Sequence, residues 1–186
     1  MIDYRQSPKL RELEPRFRNY TLYREREESW VPWLRPGEAL LAERNFKRPI
    51  CLINGAFDLL TSSHMRLIYA ARHKCATMVC ALDGNAKIAG AKGPGRPIQS
   101  WIERAVNLNY MPLDAIFQIE TEADMNAVMK GLKPDFRMQG SEYAGKPGRY
   151  PHVPKILVRL GKMRTSEIVE RIRARYEETK SKQAAS

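Results

Sequence analysis

The chain has 186 residues, of which 43% are apolar and 28% are charged, and this is the composition of an ordinary globular domain. No apolar run reaches the ~20 residues of a membrane-spanning helix, and the first residues lack the apolar stretch of a secretion signal, so we expect a cytoplasmic protein with no membrane partner. The net charge of +11 is concentrated in residues 137–186, which hold 12 basic and 5 acidic side chains. This excess predicts an anionic partner, such as nucleotide phosphates, nucleic acid or acidic lipid.

Apolar periodicity divides the chain into alternating strands and helices. Residues 1–36 form a charged, irregular N-terminal extension, in which Trp30 and Trp33 are expected to pack on the core or on a partner subunit. Short apolar runs predict strands at 49–54, 77–82, 115–119, 136–139 and 155–160. Helical patterns cover 38–46, 64–74, 100–110, 122–132 and 166–176, and residues 87–97 are predicted as a Gly-rich basic loop.

Strands separated by helices of about ten residues predict right-handed crossovers and a parallel sheet. The predicted fold class is therefore α/β, a doubly wound, Rossmann-like parallel sheet. It forms a single domain over residues 37–178, after the extension at 1–36 and before a polar tail at 179–186 that we expect to be disordered. Ligands of such sheets bind at the carboxyl ends of the strands, so the residues directly after each strand are the candidate site residues.

The segment after the first of these apolar strands has the residue types of a phosphate-binding helix start. Gly55 allows a tight turn, and Thr61 can cap the following helix. The free N–H groups and the positive dipole end of that helix attract phosphate. His64 lies in the first helical turn and can direct a ring N–H at a phosphate oxygen. The same pattern also fits a plain capped helix with a surface histidine, so the local residues leave both interpretations open.

Residues 54–64 resemble the signature of the cytidylyltransferase-like nucleotidyltransferase superfamily, in which a G-x-F-D turn precedes a T/H-x-G-H helix start. Gly55, Phe57, Asp58, Thr61 and His64 fall at the family spacing. Three further segments follow in the family order: residues 92–97 with Glu103-Arg104, residues 132–143 and residues 164–168. They resemble the nucleotidyltransferase domain of bacterial heptose (ADP-heptose) synthesis enzymes, and glycerol-3-phosphate cytidylyltransferase is similar. The resemblance covers about residues 40–176.

The resemblance implies an enzyme that transfers a nucleoside monophosphate from ATP or CTP to a phosphorylated sugar or polyol and releases pyrophosphate. It implies catalytic roles for His64, Thr61 and Lys92, as hydrogen-bond donors and as a positive charge beside the phosphates. The residues implied in nucleotide binding are Gly55, Ala56, Phe57, Asp58, Arg96, Gly140, Glu142, Arg164, Thr165 and Ser166. Mg²⁺ is expected to be carried with the nucleotide, without a dedicated metal site on the protein. Dimers are common in the resembled family, so a homo-oligomer is an open alternative.

Three positions depart from the family pattern. Ser63, Gln139 and Glu142 stand where the family has glycine, lysine and aspartate. They support a second interpretation, in which the fold has lost catalysis and serves as a nucleotide-, nucleic-acid- or protein-binding module. Nucleic-acid binding by the basic segments would weaken steeply with salt, which separates this interpretation from the enzyme.

Overall fold

A computed structural model describes residues 31–145, 149–159, 161 and 165–184, and its centre is a six-stranded sheet in which every pair is parallel. The strands are β1 (Trp33–Leu34), β2 (Ile50–Gly55), β3 (Thr77–Asp83), β4 (Ala115–Ile119), β5 (Phe136–Gly140) and β6 (Lys155–Val158). The α-helices are α1 (Ala39–Glu43), α2 (Ser62–Arg72), α3 (Asn85–Lys92), α4 (Trp101–Asn109), α5 (Glu122–Leu132) and α6 (Thr165–Ala184). The predicted doubly wound α/β class is confirmed.

The strand order β1-β4-β3-β2-β5-β6 places a topological switch point in the middle of the sheet. From β2 the chain moves outward through β3 to β4, and then returns to the other side of β2 with β5 and β6. The carboxyl ends of β2 and β5 therefore flank a crevice, since the connections that follow them lead to opposite sides.

Helices cover both faces of the sheet because successive strand residues point to opposite faces. Ile50 and Leu52 of β2 join a buried cluster with α1 and α5. Cys51 and Ile53 of the same strand join a second cluster with α2 and α4. The continuous apolar run of β2 is thus explained by burial on both sides. Among the described residues, no helix combines the length and the apolar character needed to cross a membrane.

Residues 31–36, predicted as part of the N-terminal extension, belong to the domain. Trp33 and Leu34 pair with Ile116 and Phe117 of β4 and form the edge of the sheet. The Trp33 ring lies edge-on to Trp101 with ring centroids 5.1 Å apart, so its predicted packing on the core is confirmed. Trp30 lies outside the described residues.

The basic segment 87–97, predicted as a loop, begins instead with helix α3, which runs from Asn85 to Lys92. Alanine is frequent in this segment and favours a helix, and Ile88 anchors it in the core. The loop starts only at Gly93, whose positive φ of 85° ends the helix.

The last helix is longer than the predicted 166–176 and continues through the expected disordered tail to Ala184. A Lys182–Glu178 ion pair at 2.6 Å is one of the contacts along its last turns. Ile172 and Tyr176 of this helix are 60% and 65% exposed. The apolar face to which they belong was expected to contact the core or a subunit; these two residues do not pack on the core, and the subunit contact stays a prediction.

Candidate active site

A cavity of about 780 Å³ opens at the carboxyl ends of β2 and β5, at the switch point. It brings together every predicted site residue that the structure describes, although these residues come from four separate segments of the chain. They are Gly55, Ala56, Phe57, Asp58, Thr61, His64, Lys92, Arg96, Gly140, Glu142, Thr165 and Ser166. Arg164 lies outside the described residues.

Thr61 and His64 lock the start of α2. Thr61 is the N-cap, and its hydroxyl accepts a hydrogen bond from the backbone N–H of His64 at 3.4 Å. In return, the backbone N–H of Thr61 donates to Nδ1 of His64 at 3.1 Å. The imidazole thereby takes the place of the glutamate in a capping box. Thr61 is 4% exposed and orients the histidine, and its direct contact with a phosphate remains a prediction.

This hydrogen bond determines which form of the His64 ring suits the site. Because Nδ1 accepts from the Thr61 backbone, the ring proton of the neutral imidazole resides on Nε2. Burial and the nearby positive charge of Lys92 lower the pKa of His64, against the opposing effects of Glu142 and Asp58. His64 thus offers an Nε2–H donor to the cavity without being charged.

The turn before α2 is strained. Phe57 and Leu59 have positive φ angles of 47° and 56°, in the left-handed region that non-glycine residues rarely adopt. Each such residue costs on the order of 1–3 kcal/mol and is retained where the surroundings hold it. The buried Phe57 ring lies 5.4 Å from the His64 ring, so the strained turn sets one wall beside the histidine.

Asp58 is a structural anchor for the loop that follows α3. Its carboxylate, 1% exposed, accepts from the backbone N–H groups of Ile98 and Gln99 and from Nε of Arg96 at 2.9 Å. Burial alone would raise the pKa of Asp58, but these donors outweigh it and hold the pKa below its ordinary value. Asp58 and Arg96 line the cavity, and their side chains chiefly hold its wall; nucleotide contact by either remains a prediction.

Lys92 ends helix α3 at the side of the cavity. Partial desolvation lowers the pKa of Lys92, and the positive charge of Arg96 adds to this effect, while Asp58 and Asp83 oppose it. A phosphate that approaches this ammonium would raise its pKa again, because the phosphate supplies a negative counter-charge.

The start of α6 is tied to the turn that follows β2. The Thr165 hydroxyl donates to the backbone carbonyl of Asp58 at 2.9 Å, and the Ser63 hydroxyl donates to the carbonyl of Gly161 at 3.2 Å. Ser63, where the resembled family has glycine, is 6% exposed and braces the segment before α6. The starts of α2 and α6 are therefore neighbours on one cavity, and Ser166 lies exposed at its edge.

Gly140 and Glu142 form the wall beyond β5. Glycine at 140 leaves room for the Glu142 carboxylate to lie back over the strand end, and a Cβ there would make this exposed side chain move aside. Glu142 is exposed, and its charge acts to raise the pKa of His64. Contact of this wall with the base and ribose of a nucleotide remains a prediction.

Two buried arginines of this region were missed as site residues by sequence reasoning. Arg104 is fully buried, and Nη1 of its guanidinium donates to the carbonyls of Ala56 and Asp83 at 2.7 and 2.8 Å. It joins the ends of β2 and β3, and its place in the Glu103-Arg104 motif was the available signal. Arg137 interrupts the apolar pattern of β5 and is 6% exposed. A charged residue within a buried strand was the signal there.

The chain is similar in sequence to known proteins over part of its length. No protein-family model matches the chain. It is 35% identical over 91 residues to the bifunctional protein HldE of Mesorhizobium japonicum, covering 48% of this chain and 18% of that protein. It is 29% identical over 151 residues to HldE of Syntrophotalea carbinolica, covering 76% and 30%. The chain thus spans less than a third of the length of these relatives.

A crystal structure of pantoate–β-alanine ligase from Francisella tularensis, complexed with beta-gamma ATP and beta-alanine, superposes with a TM-score of 0.51 at 9% identity. The superposition covers 72% of this chain and 68% of that one, and at this identity the likeness concerns the fold.

The fold, the cavity at its switch point and these relatives confirm the resemblance to the cytidylyltransferase-like nucleotidyltransferase superfamily that the sequence shows. The chain is a homologue of a part of the bifunctional HldE proteins.

Proposed function

We propose that this chain transfers a nucleoside monophosphate from ATP or CTP to the phosphate of a phosphorylated sugar or polyol and releases pyrophosphate. One observation carries the proposal. The start of α2, with His64, and the start of α6, with Thr165 and Ser166, line the same cavity at the switch point of the sheet. Two helix N-termini that face one space suit a polyanion, because each presents free N–H groups and a positive dipole end.

The reaction requires an in-line displacement at the α-phosphorus. An oxygen of the acceptor phosphate forms a bond to that phosphorus, and the bond to the bridging oxygen breaks, so that its electron pair leaves with pyrophosphate. Negative charge grows on the equatorial and leaving oxygens, and the protein lowers the barrier by positioning and by fixed donors. Nε2–H of His64 is suited to the α-phosphate, and Lys92 to the leaving or attacking oxygens.

The start of α6 suits the β- and γ-phosphates. The Thr165 hydroxyl is engaged with the Asp58 carbonyl, so the groups left to face the phosphates are the backbone N–H groups of the first turn and the hydroxyl of Ser166. This refines the role expected from the resemblance: Thr165 holds the helix start in place, and the helix start holds the phosphates.

Magnesium is proposed to arrive with the triphosphate. Among the residues that the structure describes, no three His, Cys, Asp or Glu side chains cluster in a way that could hold a metal ion. The cavity wall carries the carboxylates of Asp58, Glu142 and Glu167, and that of Asp58 is engaged with the loop after α3. Phosphate oxygens and waters would supply most of the ligands, as is usual for Mg²⁺.

The direct test supplies ATP, CTP, GTP and UTP with sugar 1-phosphates and glycerol 3-phosphate, and follows pyrophosphate release. We expect release with ATP or CTP and at least one acceptor. His64→Ala should lower kcat about 100- to 1,000-fold, the usual effect of losing one preorganised donor to a developing oxyanion. His73→Ala, an exposed histidine at the other end of α2, is the matched control and should retain activity.

The outcome also separates the enzyme from a binding module. If the chain binds a triphosphate but releases no pyrophosphate with any pair of substrates, catalysis is refuted and the fold serves only to bind.

A further inference from the structure

A second cavity, of about 300 Å³, adjoins the first. The two cavities share Asn54, Gln139 and Tyr143 as lining residues. The second one extends to the opposite side of the crevice, where Arg137 of β5 and Met125 of α5 line it. It therefore lies beside the proposed triphosphate site, on the α5 side of the sheet.

The wall of this cavity carries excess positive charge. Its basic residues are Lys87, Arg137, Arg149 and Lys155, and its acidic residues are Asp83 and Glu122. The two carboxylates are engaged at one end, where Lys87 lies 2.7 Å from Asp83 and Arg149 forms an ion pair with Glu122. Four positive charges against two negative ones leave a net charge of +2 on the wall.

Arg137 is the unusual member of this group. It is 6% exposed, yet no carboxylate among the described residues forms an ion pair with it. One Nη donates to the side-chain oxygen of Asn54 at 3.1 Å, and the guanidinium lies 5.2 Å from the centre of the Tyr150 ring. Its Nε–H is buried and has no hydrogen-bond partner in the part of the chain that the structure describes.

A buried guanidinium of this kind lowers the stability of the fold unless a ligand supplies a hydrogen-bond acceptor and a negative charge. Leaving a buried donor without a partner destabilises a fold, and burying an uncompensated charge destabilises it more. Packing against α5 needs no charge here, because neighbouring strand positions on this face, Leu52 and Ala81, are apolar. The guanidinium offers a forked set of donors that matches a phosphate or carboxylate geometrically.

We propose that Arg137 and the cavity around it bind a phosphoryl group of the acceptor substrate, at a subsite separate from that of the triphosphate. The assignment to an acceptor rests on the proposed function, whereas the anion site itself rests on the buried Nε–H and the net positive wall. Lys155 at the rim, whose Nζ donates to the carbonyl of Tyr143 at 3.2 Å, adds positive charge at the entrance.

Inorganic phosphate is the probe for this subsite, and the Nε–H signal of Arg137 in a ¹H–¹⁵N spectrum is the readout. The protein is first saturated with a non-hydrolysable ATP or CTP analogue, which fills the larger cavity. Phosphate is then added. We expect a saturable shift of the Arg137 signal, which is assigned by its absence from Arg137→Met.

Calorimetry of phosphate binding then compares variants under the same conditions. Arg137→Met should weaken phosphate binding at least about tenfold, which is the loss expected for one charge-assisted hydrogen bond. Arg175→Met, an exposed arginine that lines neither cavity, should bind within about twofold of the wild type. Lys155→Met is a second variant in case Arg137→Met does not fold, and it should also weaken binding.

Steady-state kinetics tests the link to the acceptor. Arg137→Met should raise KM for the acceptor and leave KM for the triphosphate nearly unchanged, whereas a merely structural role would affect both. No saturable shift at Arg137, or a shift that disappears once the nucleotide analogue is bound, would overturn the separate subsite. A saturable shift in a chain that transfers no nucleotide would keep the anion site and refute its assignment to an acceptor.

Discussion

Thr61 and His64 hold each other in a reciprocal pair of hydrogen bonds at the start of α2. The backbone N–H of Thr61 donates to Nδ1 of His64 at 3.1 Å, and Oγ1 of Thr61 accepts from the backbone N–H of His64 at 3.4 Å. One contact caps the helix and the other turns the free Nε2–H of the ring towards the cavity. This pair of hydrogen bonds therefore contributes both to the stability of α2 and to the proposed catalysis.

Replacing Thr61 with valine should affect both properties. Valine keeps the shape but removes the capping oxygen, so the free energy of unfolding should fall by about 0.5–2 kcal/mol. The imidazole loses part of its support, and kcat should fall about 10- to 100-fold, because small misplacements of catalytic groups are costly. Urea denaturation and pyrophosphate release measure the two effects. Thr61→Ser is the matched control and should stay close to the wild type in both.

The protonation of His64 can be read directly by NMR. Burial and Lys92 lower its pKa, so the ring should be neutral at pH 7, with the proton on Nε2 and none on Nδ1. Long-range ¹H–¹⁵N correlations of the ring distinguish this tautomer. An imidazolium at pH 7 would contradict the assignment.

The same shift predicts how stability depends on pH. A histidine with a lowered folded-state pKa binds fewer protons in the folded than in the unfolded chain, between its folded value and the ordinary value of about 6.5. Its contribution to stability is therefore fully present above about pH 6.5 and is lost as the pH falls towards the folded pKa. Urea denaturation between pH 5 and 8 measures this effect. As the pH falls, the free energy of unfolding should decrease less for His64→Gln than for the wild type.

Asp58 should be essential for the wall of the cavity. Asp58→Asn keeps the shape but removes the charge that Arg96 and two backbone N–H groups bind. The free energy of unfolding should fall by about 2–4 kcal/mol, because a buried guanidinium loses its counter-charge. Urea denaturation measures the loss. A change of less than about 0.5 kcal/mol, the range of ordinary surface substitutions, would show that the carboxylate is not an anchor.

Much of the fold was predictable because strands and helices of this chain carry local signals. β4 and α5 occur where the apolar runs place them, at Ala115–Ile119 and Glu122–Leu132. Thr61 and Ser100 cap the helices that follow them. The position of the cavity followed from the parallel order of the strands, since ligands bind at switch points.

The remaining features depend on contacts between distant parts of the chain. β1 has only two residues, and its pairing with β4 leaves no periodic pattern in the sequence. Helix α3 directly precedes a loop rich in Gly and Pro, and its burial through Ile88 is visible only in the fold. The role of Asp58 as an anchor could not be read from its motif, because its donors lie 38 to 41 residues away.

Two glycines in helices should respond to alanine in opposite ways. A Cβ on Gly131 of α5 would lie 2.8 Å from the backbone nitrogen of Leu40, where α1 packs closely, so Gly131→Ala should lower the unfolding free energy by about 1–3 kcal/mol. At Gly90 of α3, an added Cβ would meet no atom within 4 Å. Gly90→Ala should therefore raise the unfolding free energy by about 0.5–1 kcal/mol. Urea denaturation compares the two; stabilisation by Gly131→Ala would contradict the packing of α1 on α5.

The position of the triphosphate is the point from which the proposed reaction follows. A crystal structure with a non-hydrolysable ATP or CTP analogue measures it most directly. We predict phosphate oxygens within hydrogen-bond distance of Nε2 of His64 and of the backbone N–H groups that open α6 after Thr165. A triphosphate bound elsewhere, or bound in the cavity with its phosphates in contact with neither helix start, would contradict the account.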